Sequence, residues 1–133
     1  MAPDEEERMA DGNLELIQQG YEAFGRGDIP AVLEIMSDDV EFNVTEVLPQ
    51  GAHVRGKQEV GGFFERLGGI WEGLDIQVDD FVASGDRVCV IGRGSGSVEG
   101  NQTGYGFVHA WTVRDGKAVK FDEYADPAPE LYR

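Results

Sequence analysis

The chain contains 133 residues, and its 26 acidic and 11 basic side chains give a formal net charge of -15. That length is typical of one domain, and a hydrophobic content of 41% argues against intrinsic disorder. The negative charge repels phosphate backbones and anionic lipid surfaces, so we expect no nucleic-acid or membrane partner.

The amino-terminal half of the sequence predicts three helices. Residues 1–10 are acidic and lack apolar periodicity, so we expect a flexible acidic lead-in before a single domain over residues 11–133. A first amphipathic helix is predicted from about Asp11 to Gly25. Asp28 is predicted to cap a short second helix that reaches Met36, and a third helix is predicted from about Lys57 to Trp71.

The rest of the sequence predicts strands. Apolar and polar residues alternate from Val40 to Val44, which indicates a half-buried strand, and residues 46–56 are predicted to form a loop. Four further strands are predicted at residues 74–83, 86–98, 103–113 and 117–125, separated by glycine-containing turns. Helices followed by an antiparallel meander are typical of an α+β domain.

The last predicted hairpin determines which side chains share a face. A three-residue loop over 114–116 is predicted, because a plain two-residue turn would mix apolar and charged residues on each face. The three-residue loop pairs His109 with Phe121 and Phe107 with Glu123. His109 and Glu123 then become diagonal neighbours on an otherwise apolar face.

A histidine and a carboxylate on an apolar surface have two explanations. They form either a satisfied buried hydrogen bond or a pair for general acid-base catalysis, with Glu123 as the base and His109 as its partner or as an electrophilic donor. Asp126 is a secondary catalytic candidate, which either projects from the rim of a predicted cavity or caps the C-terminal tail. His53 either overhangs that cavity or faces water.

Aromatic residues at helical and strand spacing predict the walls of a hydrophobic site for a small molecule, although such residues often belong only to the core. The predicted wall residues are Tyr21, Phe24, Phe42, Phe64, Trp71, Tyr105, Phe107 and Trp111, with His53 as a further ligand-binding candidate. Cys89 is the single cysteine and is expected in the core. We predict no metal site and no cofactor.

We expect a cytoplasmic protein. No apolar run approaches the roughly 20 residues that span a bilayer, and the first residues are acidic where a signal peptide is basic.

Several short stretches, in order, resemble the SnoaL-like branch of the NTF2-like superfamily, which also includes ketosteroid isomerase and limonene epoxide hydrolase. They are YEAFGRGD at 21–28, SDDV at 37–40, RGKQEV at 55–60 followed by FF at 63–64, FVHAWTV at 107–113, DGK at 115–117 and EYAD at 123–126.

The resemblance implies a cone of three helices packed on a strongly curved, mixed and largely antiparallel sheet, a hydrophobic cavity, and a homodimer formed through the outer sheet face. In the polyketide cyclases of this branch it implies cofactor-free aldol chemistry, with His109 and Glu123 at the positions of a histidine and an aspartate. Glutamate is one methylene longer than that aspartate. The tyrosine and aspartate of ketosteroid isomerase fall at Gly20 and about Val44, so we predict no steroid isomerisation.

Overall fold

The computed structural model of this chain describes residues 3–127. The elements in this range are the helices α1 (Pro3–Gly25), α2 (Ile29–Glu34) and α3 (Lys57–Ile70), and the strands β1 (Met36–Val44), β2 (Ala52–Arg55), β3 (Trp71–Ser84), β4 (Arg87–Val98), β5 (Asn101–Arg114) and β6 (Lys117–Pro127).

The six strands form one mixed sheet in the order β2-β1-β6-β5-β4-β3. The β1–β6 pair is parallel and the other neighbouring pairs are antiparallel. The sheet is not closed into a barrel, because β2 and β3 remain its edges. Buried side chains of all three helices join those of the sheet in one core, which confirms the predicted α+β class.

Helix α1 begins at Pro3, so the predicted start near Asp11 is wrong. Most of the predicted lead-in, from Pro3 to residue 10, belongs to the helix. Proline fits the first position of a helix, and the acidic side chains of Asp4, Glu5 and Glu6 occupy the first turn, where they interact favourably with the helix dipole. The apolar periodicity marks only the later turns, which pack on the sheet.

The segment after α1 contains one confirmed cap and two differences from the prediction. Asp28 caps α2, since its Oδ1 accepts a hydrogen bond of 3.2 Å from the backbone N–H of Ala31. Met36 is the first residue of β1 and pairs with Ala118, so it does not extend α2 as expected. The predicted loop over 46–56 contains the short strand β2.

Two glycines of β4 make room for aromatic rings of β5. A Cβ atom at Gly92 would lie 2.7 Å from Cζ of Phe107, and one at Gly94 would lie 2.6 Å from Cζ of Tyr105. The two rings therefore lie across β4 on the inner face of the sheet, where a side chain at either glycine would collide with them. This arrangement places Tyr105 beside the cavity described below.

Candidate active site

The turn between β5 and β6 determines the register of the last hairpin. Asp115 and Gly116 have φ angles of 51° and 75°, and two positive φ angles are typical of a two-residue type I′ turn. The three-residue loop expected from the sequence is therefore wrong. A bulge at Val119 shifts β6 by one residue beyond this turn. The shift brings the apolar face of β6 back beside that of β5.

His109 and Glu123 are direct cross-strand neighbours as a result, not diagonal ones. Nε2 of His109 lies 2.6 Å from Oε2 of Glu123, and both residues are only 7% exposed. A buried carboxylate requires a partner of this kind, because desolvation of an unpaired charge costs several kcal/mol. The structure thus brings together the two residues that the sequence singled out, at a shorter separation than expected.

Tyr21 of α1 extends this pair into a hydrogen-bonded chain. Its hydroxyl oxygen lies 2.5 Å from Nδ1 of His109 and accepts a hydrogen bond of 3.0 Å from Nε1 of Trp111. The sequence indicated Tyr21 only as a wall residue, because nothing in the helical spacing places its hydroxyl beside a histidine of β5.

Trp111 fixes the direction of one bond in this chain, because an indole N–H can only donate, and it donates to the Tyr21 oxygen. One proton lies between the Tyr21 oxygen and Nδ1 of His109, and another lies between Nε2 of His109 and Oε2 of Glu123. Both nitrogens of the imidazole are occupied in this arrangement, whereas Glu123 uses only Oε2 for His109.

The imidazole ring is also fixed by packing. It stacks on Phe107 at a centroid distance of 3.9 Å and an interplanar angle of 13°, and it lies nearly parallel to the Tyr21 ring at 5.9 Å. Burial raises the pKa of Tyr21 well above its ordinary value, the hydrogen bond from Trp111 opposes this rise, and the Glu123 carboxylate adds to it. Tyr21 is therefore a neutral phenol at physiological pH.

The hydrogen-bonded chain borders an apolar cavity between the helices and the sheet. Six of the predicted wall residues line it: Tyr21, Phe24, Phe42, Phe64, Tyr105 and Trp111. His109 and Glu123 line it as well. Gln50, Phe63 and Phe121 also line the cavity and were not among the predicted wall residues, although the sequence placed Phe121 on the apolar face of the last hairpin.

Four predicted site residues lie elsewhere. Phe107 is behind His109, on which it stacks, and Trp71 packs against Tyr105, but neither lines the cavity. His53 is exposed and contacts Asn43 on the outer surface. Asp126 is exposed on the opposite face of β6 from Glu123, because side chains at odd and even positions of a strand alternate between its faces, and it does not line the cavity.

Gln50 forms a second polar group in the cavity wall, away from His109. It is 1% exposed, and its Oε1 accepts a hydrogen bond of 2.9 Å from Nε1 of Trp71. The guanidinium of Arg66 donates to the backbone oxygen of Gln50 at 2.8 Å. The pKa of Tyr105 is raised by burial and by the nearby Glu123 carboxylate, and hydrogen bonding from the Gln50 side chain counteracts part of this rise.

The volume of the cavity is about 80 Å³. An engineered apolar cavity of roughly 150 Å³ accommodates benzene, so a ring-sized ligand requires wall side chains to move. Phe64 is the wall residue placed to do this, because it also lines a surface groove between α2 and α3. Among the described residues, Phe64 is the one that lines both spaces.

Within residues 3–127, no cluster of three or more His, Cys, Asp or Glu side chains could hold a metal ion. No helix in the same range is long and apolar enough to cross a membrane.

The fold and the cavity define a small α+β domain that encloses a pocket for a small molecule. The chain belongs to the SnoaL-like domain family, whose sequence pattern it matches over residues 17–121. His109 lies inside the matched range and Glu123 two positions beyond it. No curated protein matches the chain.

Solved structures share the NTF2-like fold over most of the chain. An NTF2-like protein of unknown function from Burkholderia pseudomallei is 28% identical, with a TM-score of 0.81 over 86% of this chain and 91% of that one. TerC, crystallised with polyporic acid, is 31% identical, with a TM-score of 0.78 over 86% and 92%. A protein of Xanthomonas campestris pv. campestris, provisionally named a polyketide cyclase, is 24% identical, with a TM-score of 0.71 over 88% and 92%, which shows the shared fold alone.

Proposed function

We propose that this protein is a cofactor-independent acid-base enzyme that moves a proton on a small, hydrophobic, carbonyl-bearing molecule. One observation carries the proposal: the carboxylate of Glu123 lines an apolar cavity while a hydrogen-bonded chain through His109, Tyr21 and Trp111 supports it from behind. Such a buried, oriented carboxylate is suited to general base catalysis.

Glu123 is the catalytic base in this proposal. Its Oε1 takes a proton from the carbon next to the carbonyl group, and the electron pair of that C–H bond forms a carbon-carbon double bond while the carbonyl oxygen gains the negative charge. The protonated Glu123 then returns the proton to another carbon, which isomerises the substrate. Attack of the enolate carbon on a second carbonyl of the same molecule would instead close a ring, as a cyclase does.

His109 and Tyr21 act as positioning residues rather than as donors to the substrate. Both nitrogens of His109 are engaged, one by Tyr21 and one by Glu123, so the imidazole holds the carboxylate in place and disperses its charge. Trp111 fixes the Tyr21 hydroxyl in turn. This arrangement removes the need for Glu123 to reorganise during the reaction, which is the main benefit of a preorganised site.

The similarity to TerC, which was crystallised with polyporic acid, supports a small-molecule ligand for this chain too. The ligand would enter from the groove between α2 and α3 as Phe64 turns aside, because the cavity in its present shape is smaller than a ring compound. We therefore use polyporic acid as the first probe, followed by carbonyl-bearing polyketides and terpenoids.

A thermal-shift screen against these compounds, followed by mass spectrometry of the binders, tests the proposal. We expect at least one binder to be converted to a product of changed structure by the wild type and to remain unconverted with the Glu123→Gln variant. Conversion at the wild-type rate by Glu123→Gln would contradict the role of Glu123.

The competing function is a pocket protein that binds a small ligand without changing it, since one fold serves many functions. In that case the same screen would give tight binders that survive Glu123→Gln, and the wild type would convert none of them. The buried carboxylate would then serve recognition only.

We also propose that the protein is a homodimer formed through the outer face of its sheet. Ile91, Val108 and Tyr124 lie opposite one another across β4, β5 and β6 on this face, and they are 41%, 38% and 62% exposed. Val82, at 50% exposed, and half-buried Cys89 form the next pair beside them. Cys89 therefore lies outside the core in which it was expected.

Contiguous exposed apolar residues on an open sheet face are suited to an interface with a second copy. We expect light scattering to give twice the chain mass for the wild type and one chain mass for Val108→Asp. Val47→Asp is the matched control, because Val47 is 45% exposed but lies in a loop away from the sheet face. A wild type that is monomeric at all concentrations would refute the dimer.

A further inference from the structure

Gln50 is held unusually firmly for a residue of a connecting loop. Its side chain accepts from Trp71 and its backbone oxygen accepts from Arg66, and it is 1% exposed. Because an indole N–H can only donate, the atom that it meets is Oε1, and Nε2 occupies the other branch of the amide. Nε2 is thus the branch that Trp71 does not use, and Gln50 lines the cavity together with Tyr105.

Tyr105 adds a hydroxyl to the same part of the wall. Its ring lies over Gly94 and packs on Trp71 at a centroid distance of 5.5 Å, so the hydroxyl has little freedom to move. Tyr105 lines the cavity together with Gln50 and Glu123, so its phenolic proton can be donated to a ligand there. Since burial raises the pKa of Tyr105, this proton stays on the phenol.

We propose that Tyr105 and Gln50 form an oxygen-binding subsite that holds the carbonyl oxygen of the ligand while Glu123 faces the neighbouring carbon. The inference rests on the proposed function, because the oxygen held here belongs to the substrate of Glu123. Tyr105 is the catalytic donor in this subsite, and Gln50 positions it. As the proton leaves the carbon, the growing negative charge on the oxygen is stabilised by the Tyr105 O–H.

The subsite also defines the class of substrate. As the proposed base, Glu123 acts as a carboxylate anion, and most of the remaining wall is apolar, so a ligand carboxylate or phosphate would be repelled in a medium of low dielectric constant. A neutral ketone or aldehyde with an apolar body fits this wall. Its carbonyl oxygen would accept from the Tyr105–Gln50 subsite, and the acidic C–H beside the carbonyl would face Glu123. Removal of the carbonyl oxygen would leave the buried N–H and O–H donors without an acceptor, which is a costly mismatch.

The binding test compares two ligands of the same shape, acetophenone and α-methylstyrene, in which a methylene group replaces the carbonyl oxygen. Dissociation constants are measured by ligand-observed NMR for the wild type and for Tyr105→Phe. Tyr124→Phe is the matched control, since Tyr124 is 62% exposed on the outer face and loses the same atom. Gln50→Met is a second variant that keeps the length of the side chain and removes the amide.

We expect the wild type and Tyr124→Phe to bind the ketone about tenfold more tightly than the alkene. Tyr105→Phe should bind both ligands with nearly equal affinity, and Gln50→Met should lose part of the preference. A preference unchanged in Tyr105→Phe, or no preference in the wild type, would overturn the subsite. The binding preference can be measured whether or not the protein converts a substrate. If Tyr105→Phe abolished the preference but the wild type converted no compound, the proposed function would be refuted and the oxygen-binding subsite would stand.

Discussion

Tyr21→Phe is the substitution that tests the hydrogen-bonded chain most severely. It removes one oxygen and keeps the aromatic ring, so the packing of Tyr21 against His109 and Phe81 is preserved. Two polar groups lose their partner at once: Nε1 of Trp111 and Nδ1 of His109. An unsatisfied buried polar group costs about 1–3 kcal/mol, so we expect the free energy of unfolding to fall by about 2–4 kcal/mol.

Urea denaturation, followed by far-ultraviolet circular dichroism, measures this change at neutral pH. Tyr124→Phe is the control, since the Tyr124 hydroxyl belongs to no such chain and phenylalanine keeps the aromatic ring on the proposed dimer face, so loss of the hydroxyl should change the stability by less than about 0.5 kcal/mol. The measurement is made at one protein concentration for all variants, because a dimer gains apparent stability with concentration. If Tyr21→Phe were as stable as Tyr124→Phe, the chain would contribute nothing to the fold and our account of His109 would fail.

Two further results follow from buried tyrosines and from glycine packing. The pKa values of Tyr21 and Tyr105 are raised in the folded state, so the unfolded chain loses these two protons at a lower pH than the folded protein does. The free energy of unfolding is therefore fully retained below about pH 10. Above that pH it falls by about 1.4 kcal/mol per pH unit for each tyrosine. Urea midpoints across alkaline pH check this, and Tyr21→Phe should roughly halve the slope. Gly92→Ala should destabilise the protein by at least about 2 kcal/mol, because the new Cβ would lie 2.3 Å from the backbone oxygen of Gln77. Gly62→Ala in α3 is the comparison, because no atom lies within 4 Å of its new Cβ. It should stabilise the protein by about 0.5–1 kcal/mol. Equal midpoints for the two glycine variants would contradict the packing of β4, and a flat alkaline profile would contradict the raised pKa values.

The sequence predicts the elements whose apolar residues recur regularly, and it fails where that recurrence is interrupted. The later turns of α1 show helical spacing because they pack on the sheet, whereas its first turns are exposed and carry no apolar signal, so only the acidic first turn and the helix dipole mark where the helix begins. Strand β2 was missed because four residues that alternate between half-buried and exposed give too short a pattern.

The candidate site illustrates the same limit. Parity along β5 and β6 was enough to place His109 and Glu123 on one face, but the bulge at Val119 is invisible to parity, and it turns a diagonal pair into a direct one. The roles of Tyr21 and Gln50 depend on contacts across 88 and 21 positions of sequence. Such contacts follow from how the helices and loops pack, which no local pattern contains.

Exchange of the acidic protons of a ketone for deuterium tests the central claim most directly, because it reports proton abstraction without the natural substrate. β-Tetralone in deuterated water is incubated with the wild type, with Glu123→Gln, and with Asp126→Asn, which alters an exposed carboxylate on the opposite face of the same strand. NMR should show exchange about a hundredfold above the protein-free rate with the wild type and Asp126→Asn, and exchange at the protein-free rate with Glu123→Gln. Exchange by Glu123→Gln at the wild-type rate, or none above the protein-free rate by the wild type, would contradict the assignment of Glu123 as a catalytic base.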